Sequence, residues 1–185
     1  MAKTTTMPIA LGFKAPNFQL LDTLSGKERT RDELKGKQAT VVMFICNHCP
    51  FVQHVIEGLV KLANDYIPRG VSFIAINAND VKNYPNDSPE NMKKLGEHYQ
   101  FSFPYLYDAT QEVAKAYHAA CTPDFNIFDN ELQNVYRGQL DGARPGNDIP
   151  VTGKDIRAAL DAILAGKEVD KNQKPSTGCS IKWKK

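Results

Sequence analysis

Residues 39 to 45 read Ala-Thr-Val-Val-Met-Phe-Ile, a run that is apolar at all but one position and rich in β-branched side chains. A run with no polar face suits a central strand covered on both sides, as in a sheet lying between layers of helix. Directly after it the period changes. From Pro50 to Tyr66 the apolar residues Phe51, Val52, Val55, Ile56, Leu59, Val60, Leu62 and Ala63 recur at helical spacing, until Pro68 and Gly70 stop the pattern. A buried strand feeding an amphipathic helix restricts the chain to the α/β architectures.

The remaining segments agree with that class. Phe18 to Leu21 and Val71 to Ile76 read as strands, with a turn at Ser25-Gly26-Lys27 and a short polar helix from Thr30 to Leu34 closed by Gly36. Residues 77 to 89 are rich in Asn, Asp and Pro and predict a loop, ending in a Ser88 cap and a proline-led helix to about Tyr99. Phe103 to Tyr107 predicts a short strand, and Asp108 a cap for a helix over Gln111 to His118. Phe125 to Phe128 and Leu132 to Arg137 predict a hairpin, and Ile156, Leu160, Ile163 and Leu164 one helix face, capped by Thr152 and closed by Gly166. The expectation is one domain over residues 1 to 185 with a central mixed sheet, helices on both faces, and 166 to 185 as a polar C-terminal tail.

At 185 residues such a domain buries about two-thirds of its unfolded surface, so it does not need disulfides to fold. Lys and Arg number 23 against 21 Asp and Glu, spread along the chain, which gives no support to a nucleic-acid or membrane-surface partner. The first residues lack the apolar core of a secretory signal, and no run approaches the ~20 apolar residues of a membrane span. The expected location is the cytoplasm. There a disulfide framework is unsupported, and four cysteines point to catalysis or metal binding.

The strand-to-helix junction is Cys46-Asn47-His48-Cys49-Pro50. Two cysteines separated by two residues at a helix start form a candidate redox dithiol, because unpaired amides and the helix dipole there stabilise a thiolate. Cys46 is the expected nucleophile and Cys49 the expected resolving thiol. His48 can donate a hydrogen bond or a positive charge to a thiolate, which makes the disulfide more oxidising.

The order of elements, the dithiol after a buried strand, and Thr122-Pro123 before a later strand resemble the thioredoxin fold. The segment from 71 to 118, with Phe103-Pro104-Tyr105-Leu106-Tyr107-Asp108 and Val113-Ala114-Lys115-Ala116-Tyr117, resembles the inserted strand and helix of the peroxiredoxin-like branch, the alkyl hydroperoxide reductase and thiol-specific antioxidant family. Cys121-Thr122-Pro123-Asp124 and Gly178-Cys179-Ser180-Ile181-Lys182-Trp183 strengthen the likeness to redoxins of that branch. The resemblance implies a three-layer sandwich and a cis peptide bond at Pro123 facing the dithiol, with the Thr122 backbone free to pair with an extended substrate. It also implies a cysteine, Cys121, close to the site.

Two departures stand out. Thr40 occupies the place of the aspartate that thioredoxins bury six residues before the first cysteine. Residues 41 to 45 hold neither the Pro nor the Thr that precede a peroxidatic cysteine, and Arg137 is the candidate for that site's arginine. The resulting expectation is thiol-disulfide oxidoreduction on protein or small-molecule disulfides with no cofactor. A thiol peroxidase using a hydroperoxide, with Cys46 peroxidatic, is the alternative. A zinc or copper(I) protein built on Cys46, Cys49, His48, Cys121 and Cys179 is a second alternative. A sheet edge or helix face could support a homodimer.

Overall fold

The computed structural model describes residues 3 to 185. The strands are β1 (Lys3–Thr5), β2 (Gln19–Asp22), β3 (Lys27–Thr30), β4 (Ala39–Phe44), β5 (Val71–Asn77), β6 (Tyr105–Tyr107), β7 (Cys121–Thr122), β8 (Asp124–Asp129), β9 (Asn134–Gly138) and β10 (Thr177–Ser180). The helices are α1 (Arg31–Leu34), α2 (Pro50–Tyr66), α3 (Pro89–His98), α4 (Glu112–Ala116) and α5 (Lys154–Leu164). Seven strands form the central sheet in the order β3-β2-β6-β5-β4-β8-β9, with β4, β5 and β6 parallel and the rest antiparallel.

Strand alternation divides the core in two. Ala39, Val41 and Met43 of β4 and Val71, Phe73 and Ala75 of β5 meet α2, α5 and Met92 of α3 on one face. Val42, Phe44, Ile74 and Ile76 meet Leu34, Ala114, Tyr117 and Phe18 on the other. This is the expected mixed sheet between two helical layers. Among the described residues, no helix is long and apolar enough to cross a membrane.

Local chemistry moved several boundaries. Helix α2 has the expected span, with Cys49 as its N-cap and Pro50 at its first position. Thr30 and Glu33 close a reciprocal capping box on α1, so β3 and α1 share one four-residue signature that reads only as helix in sequence. Thr152 does not cap α5. Gly153 takes that place at φ 68°, and the Asp141 carboxylate accepts from the N–H groups of Thr152 and Gly153 at 2.8 and 2.6 Å. Helix α4 starts after Gln111, and Asp108 accepts instead from the N–H of Ala114, one turn inside, at 2.8 Å.

The largest difference lies at the chain end. Residues 177 to 180 are a strand, β10, running antiparallel between β1 and β7 in a second, three-stranded sheet. The segment pairs Cys179 with Thr122 and Ser180 with Cys121. Gly178 makes this possible: a Cβ there would collide with the carbonyl oxygen of Thr122 and lie 2.6 Å from its carbonyl carbon. The strand thus lies flat on the Thr122–Pro123 peptide.

Candidate active site

Strand β4 ends at Phe44 and α2 begins at Pro50, so the five residues between are held at both ends by buried elements. Both sulfurs of the motif are enclosed: Cys46 is 1% exposed and Cys49 fully buried, on the face of the sheet that packs α2. The Thr122–Pro123 bond is cis and faces them. Thr122 Oγ1 lies 3.2 Å from Cys46 Sγ, and the Thr122 carbonyl accepts from Cys49 Sγ at 3.1 Å. One residue therefore touches both cysteines, through its side chain and its backbone.

The helix start belongs to Cys49, not Cys46. As N-cap, Cys49 stands at the first amides of α2, its carbonyl accepting from the N–H groups of Val52 and Gln53 at 3.0 Å each, whereas Cys46 stands three residues earlier. The two sulfurs also share a hydrogen bond, and its direction decides where the charge goes. Donation from Cys46 brings the Cys49 thiol down to about 5 against the opposing effect of burial, with further donation from Cys179, Val52 and Thr122. The same bond holds Cys46 well above the usual thiol range, helped by burial and by the carboxylate of Asp87. On ionising, Cys49 gives up the bond to the Thr122 carbonyl, which only its protonated form can donate. The directions of the two shifts favour Cys49 over Cys46 as the sulfur that ionises first.

His48 lies beside the pair and does not point to solvent. Its Nδ1 is 2.5 Å from Oδ2 of Asp87, and its ring stacks on Tyr84 with centroids 5.6 Å apart. Asp87 is fully buried and accepts from the Asn47 N–H at 2.7 Å and from Asn79 Nδ2 at 2.8 Å. Nothing in sequence distinguished Asp87 from the other acids of its Asn- and Asp-rich loop; only the fold of that loop brings it to the dithiol.

Cys46, His48 and Asp87 place one sulfur, one nitrogen and one oxygen ligand atom within 4.8 Å of one another. The set could hold zinc, but the imidazole and carboxylate touch each other directly, and Cys121 is not a member.

Cys121 lies within the electrostatic reach of Cys49 but is not among the hydrogen-bond partners of the dithiol. It is buried on the opposite side of β7 from Thr122, with Thr6 Oγ1 and the Pro123 carbonyl each 3.7 Å from its sulfur. Burial, then the neighbouring Asp124 carboxylate, pushes its thiol up to about 12. Cys179 shares the face of Thr122 and is buried in one cluster with Cys46 and Cys49. Burial, and then the neighbouring Cys49 sulfur, pushes Cys179 up to about 12.

Thr40 does not face the dithiol. Its hydroxyl accepts from the Gly36 N–H at 3.0 Å, and it sits on β4 among the side chains of the other face. Arg137 gives its guanidinium to the carbonyls of Tyr117 and His118 and to Asn126, with Asp124 at 3.7 Å. These commitments keep it out of the dithiol's contacts.

The profile of the AhpC/TSA family matches residues 11–137. A thiol-disulfide oxidoreductase ResA from Halalkalibacterium halodurans is 32% identical over 132 residues, covering 70% of this chain and 69% of that protein. A solved uncharacterized conserved protein from Geobacillus kaustophilus is 61% identical with a TM-score of 0.98, over 100% of this chain and 97% of that one. A hypothetical protein from Sinorhizobium meliloti is 49% identical with a TM-score of 0.95, over 98% of each chain. The fold is thioredoxin-like.

Proposed function

The chain belongs to the AhpC/TSA family, and from that premise we propose that it is a thiol-disulfide oxidoreductase working through Cys46 and Cys49. The observation that carries this reading is the pair of buried sulfurs bridged by Thr122 beside the cis peptide. The similarity to ResA, named a thiol-disulfide oxidoreductase, supports it. Its substrates are protein or small-molecule disulfides.

In the reducing direction the shared proton passes from Cys46 to Cys49, and the Cys46 thiolate attacks a substrate sulfur. One substrate sulfur leaves as a thiolate and takes up a proton, and a mixed disulfide joins Cys46 to the other. Cys49, deprotonated again, attacks Cys46, which forms the Cys46–Cys49 disulfide and releases the second substrate thiol. His48 sits close enough to stabilise charge on Cys46, and Asp87 fixes its ring. Run backwards, the same steps oxidise a dithiol.

A second reading, hydroperoxide reduction by Cys46 through a sulfenic acid, follows from the family alone, and the commitments of Arg137 weigh against it. Insulin reduction and hydroperoxide consumption separate the two. The wild type should reduce insulin with a rate that falls at least about a hundredfold in Cys46→Ser; peroxide consumption lost in Cys46→Ser, with no insulin reduction in the wild type, would favour the second.

A further inference from the structure

We infer that Cys179 is a third redox-active thiol, which takes the disulfide from Cys46–Cys49 to form Cys49–Cys179 and leaves Cys46 free. This rests on the dithiol reading above and adds to it a residue outside the two-cysteine motif.

Three observations carry it. Cys179 lies in the same buried cluster as Cys46 and Cys49, opposite the Thr122 whose carbonyl Cys49 Sγ touches at 3.1 Å, so its sulfur is a neighbour of the dithiol. Strand β10 is antiparallel to Thr122, with Cys179 as its direct partner, so this chain's own segment lies where an extended substrate was expected to pair. Gly178 lets it lie there without a gap. The protein therefore presents a cysteine to its own dithiol on a strand laid across the Thr122–Pro123 peptide.

The exchange balances without any added oxidant or reductant. The Cys179 sulfur attacks the Cys49 sulfur of the Cys46–Cys49 disulfide, the bond to Cys46 breaks, and a bond between Cys49 and Cys179 forms. Cys46 leaves as a thiolate and takes the proton that Cys179 gives up. Two sulfurs remain oxidised and one reduced throughout. Cys179 is hard to ionise in the reduced protein partly because it donates to the Cys49 thiolate and lies in its field. Both effects vanish once Cys49 is in a disulfide.

The test is a disulfide map of the full-length chain. Wild type and Cys46→Ser are oxidised with diamide, quenched in acid, alkylated with N-ethylmaleimide and digested for mass spectrometry, with circular dichroism confirming that each variant is folded. In the wild type, held first in a glutathione redox buffer, both Cys46–Cys49 and Cys49–Cys179 linked peptides are expected. In Cys46→Ser, Cys49–Cys179 should account for most of the chain. The inference is overturned if the wild type carries Cys46–Cys49 alone, or if Cys46→Ser pairs Cys49 with Cys121 or keeps Cys49 and Cys179 free. Insulin reduction by untreated wild type from the same preparation reports on the dithiol reading separately: activity without the Cys49–Cys179 bond sinks only the inference, and the bond without activity sinks only the function.

Discussion

Of the two motif sulfurs Cys49 is the one that favours the charge, because its neighbouring thiols bring it down while Cys46 is held well above the usual thiol range. Its depressed pKa has a definite sign. The thiolate is present above about pH 5, so the stability it lends to the fold is full above the ordinary thiol range, declines as pH falls from there, and is gone below about pH 5. The ultraviolet thiolate absorbance of the reduced protein should accordingly rise by one thiolate through about pH 5. Cys179→Ala, which removes one donor, should move that midpoint upward; an unmoved midpoint would show that Cys179 does not support the charge. At this scale much of the site was legible. Cys46, His48, Cys49 and the Thr122-Pro123 pair are contiguous motifs, readable without coordinates. Cys179 was readable as a candidate thiol of the tail but its seat against Thr122 was not, and Asp87 was not readable at all, since each owes its place to a backbone path that brings distant residues together.

Among the elements, β4 and α2 announced themselves because a two-sided apolar run and a 3.6-residue period are both strong local patterns. Strand β10 had no such pattern. Thr-Gly-Cys-Ser is short, small and polar, and it is a strand only because β1 and β7 supply partners on both sides. Its seat depends on one missing atom at Gly178. In Gly178→Ala the added methyl group must push β10 off the Thr122 carbonyl. A loss of about 1–3 kcal/mol in denaturant unfolding is expected, together with faster alkylation of Cys49 by iodoacetamide. Unchanged labelling of a folded variant would mean that the strand does not cover the sulfur.

Across the whole molecule, the dithiol stands at the boundary between the seven-stranded sheet and the small sheet that closes over it. The last residues are tied down as well. The Lys182 N–H donates to Asn79 Oδ1 at 2.8 Å, its carbonyl accepts from Asp80 N–H and Gln111 Nε2 at 2.9 Å each, and the Lys184 N–H donates to Gln111 Oε1 at 2.8 Å. Asn79 also holds Asp87, so the chain end and the His48–Asp87 pair share a single amide. Cys179 and Ile181 are this segment's only buried members of the two cores, so β10 should open before the central sheet does. Alkylation of Cys46 and Cys49 should therefore accelerate in urea concentrations well below the global unfolding midpoint. Acceleration only at the midpoint would show the two sheets to be one cooperative unit. The three-layer plan followed from periodicity, whereas the second sheet, assembled from scattered short strands, left no periodic trace.

The flat crossing at Gly178 also has a meaning for foreign chains. A segment from another protein that displaced β10 and followed its track would meet the same carbonyl at the residue just ahead of its cysteine, and only a side-chain-free residue clears it. That amounts to a recognition rule written in two letters, Gly-Cys. Glutathionylated Thr-Gly-Cys-Ser should be reduced faster than glutathionylated Thr-Ala-Cys-Ser, and equal rates would mean that outside partners approach the dithiol along a different path.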